Sequence, residues 1–143
     1  MNSAGERPAW FWIIAVLGLL WNLVGVVMFV KQITLTPEAV AMLPEAQQQI
    51  NAAMPRWIYA FFGIAVVAGA LGSLGLLLRR RWAVPLLLAS LLAVVVQMSS
   101  AYATTPVWAL TGAGGAIFPL LLIVICLLLW LFARASARRG WLA

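Results

Sequence analysis

A chain of 143 residues that is 66% hydrophobic and 8% charged lies far from a soluble domain, where roughly half the residues are apolar. It reads as one integral membrane domain over residues 1–143. No histidine, one cysteine and three acidic residues leave no material for a conventional metal site, a catalytic triad or a carboxylate pair, so neither an enzyme nor a cofactor is expected.

Four apolar runs are long enough to cross a bilayer, which takes about 20 residues: 9–30, 57–78, 83–103 and 116–133. None carries a formal charge, and their unbroken apolarity without period-2 alternation predicts helices rather than a barrel. The expected fold is an all-α membrane protein, four transmembrane helices in one antiparallel bundle. The first run is too long for the apolar core of a signal peptide, and Lys31-Gln32-Ile33-Thr34 follows it instead of a small-residue cleavage box, so it stays as a helix. Within it Ala15, Gly18, Asn22, Gly25 and Phe29 recur at spacings of 3 and 4. Such a stripe of small residues lets helix backbones approach closely in lipid, so the Asn22 amide faces protein.

The external loop 31–56 carries its own helix signals. Thr36-Pro37-Glu38 offers a capping hydroxyl, a proline at the first helical position and an acid in the first turn. After Pro44, residues Leu43, Ala46, Ile50 and Met54 share one face while Glu45, Gln47, Gln48, Gln49 and Asn51 face elsewhere. A short amphipathic helix across the outer mouth is expected, as a cover resting in the head groups or as a lid or docking surface.

The second run holds overlapping small-xxx-small patterns, Ala65-Gly69-Ser73 and Ala68-Gly72, that join helices within the chain or between two copies. With Gly18 and Gly25 of the first run, Gly69, Gly72 and Ser73 are the predicted packing residues. Only Arg79-Arg80-Arg81-Trp82 separates the second run from the third, which makes those helices antiparallel neighbours. The third carries a matching stripe, Ser90, Ala93, Gln97, Ser100 and Thr104. Asn22 and Gln97 lie about 4 Å and about 6 Å beyond their span midpoints, which predicts that they bond to each other or to a shared partner. Residues 104–115 read as a flexible loop with no site. The fourth run is nearly all large aliphatics and reads as lipid-facing, its Cys126 a small buried hydrophobe.

Orientation follows from the basic residues. Arg7, Arg79, Arg80, Arg81, Arg134, Arg138 and Arg139 fall on one side and Lys31 and Arg56 on the other, so both termini are expected in the cytoplasm. The net charge of +6 is thereby a topogenic feature that meets anionic lipid head groups, and no nucleic-acid partner is expected. Trp10, Trp12, Trp57, Tyr59, Trp82, Tyr102, Trp108 and Trp141 lie close to span ends, where amphipathic rings settle.

No ionisable group lies within a span, so the acid of a proton-coupled carrier is absent; the first-helix glutamate of the small multidrug resistance transporters has no counterpart. Trp21-Asn22, Thr36-Pro37-Glu38, Leu43-Pro44-Glu45, Pro55 with Trp57, the arginines 79, 80 and 81, and Gln97-Met98 together resemble a set of small bacterial four-helix membrane proteins often labelled "sugar transporter". That resemblance implies a bacterial cytoplasmic (inner) membrane protein and transport of a sugar. The two halves, 7–81 and 82–141, also echo each other, as repeated topogenic signals do.

Two functions remain open. One is a non-enzymatic accessory or scaffold subunit, its amides locking the bundle and its outer helix presenting a surface to another membrane protein or a second copy. The other is an oligomeric carrier or channel for a small solute, with Asn22, Gln97, Ser90 and Ser100 lining a polar path.

Overall fold

The computed structural model describes residues 8–143; Arg7, counted above with the arginine-rich side, lies outside them. The described chain is helical: α1 (Ala9–Ile33), α2 (Pro37–Ala41), α3 (Glu45–Ala53), α4 (Arg56–Leu77), α5 (Ala83–Thr104), α6 (Val107–Thr111), a 3-10 turn (Ala113–Ala116) and α7 (Ile117–Arg138). Four of these, α1, α4, α5 and α7 with its preceding turn, are long and apolar enough to cross a membrane.

Glycine sets the packing of α4 against its neighbours. A Cβ at Gly18 would meet Ser73, one at Gly69 would meet Asn22, one at Gly25 would meet Val66, and one at Gly63 would meet Phe29. Numbers rise along α1 as they fall along α4, so the two helices are antiparallel and close enough that several contacts exclude even a methyl group. The opposite side of α4 does the same with α5: Gly75 lies against Ala83 and Trp82, Gly72 against Leu87, and Gly69 against Ser90. In lipid, where apolar burial gives no drive to associate, this dispersion and shape fit replaces it. The small-residue rows of α4 are thus used within the chain, on two faces. The buried line on α1 runs Phe11, Ala15, Gly18 and Asn22, along the expected stripe. On α5 the buried residues are Ala83, Leu87, Ser90, Leu91, Ala93, Val94 and Ala101, which include Ser90 and Ala93 of the expected stripe. Thr104, expected in that stripe, is exposed and donates to the Ser100 carbonyl at 2.7 Å.

The end carrying arginines 79, 80 and 81 is closed by the chain itself. Helix α4 stops with Arg79 in the left-handed region, φ 59°, while Arg80 N donates to Gly75 O at 2.8 Å and Arg79 N to Leu76 O at 3.1 Å. Helix α7 stops the same way with Gly140, φ 76°, and Trp141 N on Ser136 O at 3.0 Å. These paired bonds satisfy carbonyls that a helix end leaves open. Beyond Gly140 the backbone straps onto the α4–α5 turn: Ala143 N donates to Arg79 O at 2.6 Å and Arg81 N to Ala143 O at 2.9 Å. Trp141, expected among the interfacial rings, is instead 7% exposed, and with Leu142 it joins Phe11, Leu76, Leu87, Leu129 and Ala133 in the core.

The segment 104–115 departs from its expectation as well, because it folds into α6 and the 3-10 turn. Helix α7 continues beyond residue 133 to Arg138, so Arg134 belongs to a helix and stands over the Trp130 ring at 5.5 Å. Among the four long helices α7 is the least buried.

Candidate functional site

The polar side chains fall into two constellations at different depths. The first sits where α1, α4, α5 and α7 converge. Asn22, only 6% exposed, donates through Nδ2 to Gly18 O at 2.8 Å and to Ser73 Oγ at 3.3 Å. Its Oδ1 fills the space that a Cβ at residue 69 would need. Ser90 donates to Ala65 O at 2.6 Å and also meets the Cys126 thiol. Each of the four helices therefore contributes a polar atom, and the donors find protein partners, as buried polar groups in a low dielectric must.

Apolar layers bound this cluster on both sides. The core around Phe11, Leu76 and Leu129 lies toward the arginine end. Toward the other end, Ala65, Ala93 and Val94 pack with Phe61, Met98 and Leu122. Gln97 is not part of the cluster. The Asn22 donors go to Gly18 and Ser73, and Gln97 lies beyond the second apolar layer, lining a separate cavity. Ser100 is half-buried on the same stretch of α5. The structure thus brings together Asn22, Gly18, Gly69, Ser73 and Ser90 of the predicted residues, and leaves Gln97 apart.

The second constellation is a half-open cavity of about 320 Å³ at the end opposite the arginines, lined by α3, α6 and the adjacent ends of the long helices. A polar triangle ties α3 to its floor: Gln32 Nε2 donates to Asn51 Oδ1 at 2.9 Å and to Tyr59 Oη at 3.3 Å, and Tyr59 donates to Asn51 Oδ1 at 3.3 Å. Thr36 caps α2 by accepting from Ala39 N at 3.2 Å. Gln48 then fixes the corner between α2 and α3 by donating to Leu43 O at 2.8 Å and Ala41 O at 3.1 Å. On the far wall Tyr102 donates to Gly115 O at 3.1 Å. Gln47 and Gln97 line the same cavity, and among the described residues neither side chain makes a hydrogen bond. None of the lining side chains is acidic or basic.

Sequence reasoning missed most of this cavity. Gln47 and Asn51 were expected on the polar face of α3; Asn51 turns inward beside Leu43, Ile50 and Met54, while Gln47 borders the cavity and stays exposed. Val107, Thr111 and Gly115 line it too, in the segment expected to hold no site. One signal was present: continuing the α1 stripe three residues past Phe29 gives Gln32.

A cleft of about 650 Å³ between α1 and α7, lined by Leu17, Leu20, Trp21, Val24, Leu128 and Phe132 among others, has apolar walls and offers no chemistry. Taken together, the fold and these constellations define a helical protein with four membrane-spanning candidates, and among the described residues both polar constellations are built from uncharged side chains. The chain matches no family model, no curated protein and no solved structure.

Proposed function

We propose that this chain is a non-enzymatic accessory or interaction subunit of the bacterial inner membrane, an antiparallel four-helix bundle that works through its outer mouth. Both termini are cytoplasmic in this reading, with Arg79, Arg80, Arg81, Arg134, Arg138 and Arg139 meeting anionic lipid head groups and α3 covering the mouth. The observation that carries the reading is the fate of the amides. Asn22 is bonded inside protein between two apolar layers, whereas the unpaired amides Gln47 and Gln97 gather at the loop end. A scaffold needs its intramembrane polar groups satisfied by protein; a continuous path needs some reachable by water. The partner is then another membrane protein or a second copy, meeting the chain in the membrane or at its outer face.

The test is labelling of single cysteines at positions 22 and 97, in a Cys126→Ser background, by an impermeant thiol reagent on intact cells. Reaction at 97 and none at 22 supports the reading. Reaction at both supports the second one, an oligomeric carrier or channel for a small solute, which the resemblance would make a sugar. The loop-end cavity favours that alternative as a loading site; Asn22, Ser90 and Ser100 would then join the path only in another conformation.

A further inference from the structure

We infer that the cleft between α1 and α7 holds one acyl chain of an anionic phospholipid from the leaflet on the arginine side, with the phosphate of that lipid seated on Arg139. The arginines as a group attract any anionic membrane surface; the inference names one cleft, one arginine and one lipid. It needs only that the four long helices cross the membrane, and it holds whether the chain is an accessory subunit or a carrier.

Shape decides the class of occupant first. The cleft is about 650 Å³, and its lining on α1 runs from Ile14 to Val24, about 15 Å of helix at about 1.5 Å per residue. That is half the roughly 30 Å of hydrocarbon in a bilayer, the depth of a single leaflet. A partner helix would cross both leaflets, and it would need small residues that let its backbone approach. Those of α1 are turned elsewhere. Ala15 and Gly18 are buried, and Gly18 lies at the floor beneath Leu129, whose Cδ2 would stand 2.9 Å from an added Cβ. What the cleft exposes is Leu17, Leu20 and Val24 on one side and Leu128 on the other, branched hydrocarbon that suits a flexible chain.

Charge then selects the lipid. The cleft face of α7 carries Ile125, Leu128 and Phe132 at spacings of 3 and 4, and seven residues further along the same face comes Arg139. Aromatic contacts connect the two: the Arg139 guanidinium stands 5.0 Å over the Trp141 ring, Trp141 meets Trp10 edge-on at 5.4 Å, and Trp10 meets Phe132 at 5.8 Å. Trp141 is buried by the strap, so the guanidinium rests on a fixed platform. Its planar fork pairs with two phosphate oxygens at once, and among the described residues Arg139 is exposed and its side chain donates to no protein acceptor. The acids among the described residues, Glu38 and Glu45, lie in α2 and α3 at the other end. Arg134 differs in direction. Two residues from Phe132, it leaves the opposite face of α7 and stands over Trp130.

Because the cleft is no more apolar than the bilayer itself, the tail contributes fit and the head group contributes preference. One arginine near the surface is worth about a fivefold gain in affinity for an anionic lipid.

The experiment titrates the full chain, delipidated in dodecyl maltoside, with phosphatidylglycerol or phosphatidylcholine of equal chain length and counts bound lipid by native mass spectrometry. One phosphatidylglycerol is expected to bind saturably, about fivefold more tightly than phosphatidylcholine. Arg139→Gln should abolish that preference and Arg134→Gln should keep it. Val24→Trp, which fills the deep end of the cleft from an exposed position, should weaken the binding of phosphatidylglycerol. Equal retention of the two lipids, or a loss in Arg134→Gln as large as in Arg139→Gln, would reduce the contact to general surface charge and overturn the inference. Binding untouched by Val24→Trp would overturn it by leaving the cleft out, and a homodimer that Val24→Trp dissociates would overturn it by placing a second copy there.

Discussion

Replacing Gly69 by alanine is the sharpest perturbation of the helix contacts. The new Cβ would overlap Asn22 Oδ1, stand 2.7 Å from its Cγ and 3.0 Å from Ser90 Oγ. Neither side chain can retreat freely, because Asn22 is held by Gly18 O and Ser73 Oγ and Ser90 by Ala65 O. Overpacking of this kind costs about 1–3 kcal/mol, and displacing Asn22 adds about 0.6 kcal/mol for an interhelical hydrogen bond. Helix propensity returns about 1 kcal/mol when alanine replaces glycine. The expected net loss is about 0.5–2.5 kcal/mol in reversible SDS unfolding from mixed micelles. Because the main clash is with the amide, Gly69→Ala should cost about 1–2 kcal/mol less in an Asn22→Ala background, a coupling of the size seen for touching residues. Gly114→Ala, with nothing within 4 Å of the added methyl, serves as the neutral control. Additivity of the two substitutions within about 0.5 kcal/mol, or a Gly69→Ala protein as stable as its parent, would refute the contact geometry.

Four further outcomes follow from the same packing. Ser90→Ala removes the 2.6 Å bond to Ala65 O and should cost about 0.6–2 kcal/mol in the same unfolding assay. Leu142→Ala, at a position 2% exposed in the core at the arginine end, should cost about 2–4 kcal/mol; a loss below about 0.5 kcal/mol, the range of ordinary surface changes, would mean that the strap is not packed. Arg79→Gly relieves a left-handed backbone at φ 59° and should raise stability by about 0.5–1 kcal/mol once glycine's greater chain entropy is counted, whereas Arg80→Gly should not. Asn51→Leu breaks both bonds that reach α3 from Gln32 and Tyr59, so amide hydrogen exchange should quicken in α3 and stay unchanged in α4.

Periodicity made the long helices and the α1 stripe legible. Apolar length alone marks a span, and a run of 15, 18, 22, 25 and 29 can face only one neighbour, so Asn22 had to point into protein. Which partner it found was not legible. Depth along two helices put Asn22 level with Gln97, but α4 comes between them, and its Gly69 and Ser73 receive the amide at close range. The loop-end cavity was hidden for a different reason. Alternation on a nine-residue helix separates apolar from polar, and Asn51 is a polar residue turned inward by the bonds it makes to Gln32 and Tyr59, contacts over 19 and 8 residues of chain. Trp141 shows the same limit: an aromatic beside arginines reads as interfacial until the strap on Arg79 and Arg81 pulls it into the core.

The most direct test of a sealed interior with a wet outer mouth uses no substitution at all. Water-edited solid-state NMR on the chain in bilayers, with asparagine and glutamine labelled at the side-chain nitrogen, reads water contact at Asn22, Asn51 and Gln97 in one spectrum. Rapid build-up of the Asn51 and Gln97 signals with a slow or absent Asn22 signal is the predicted result. Build-up at Asn22 as fast as at Gln97 would mean that water reaches the middle of the bundle, and would contradict the account.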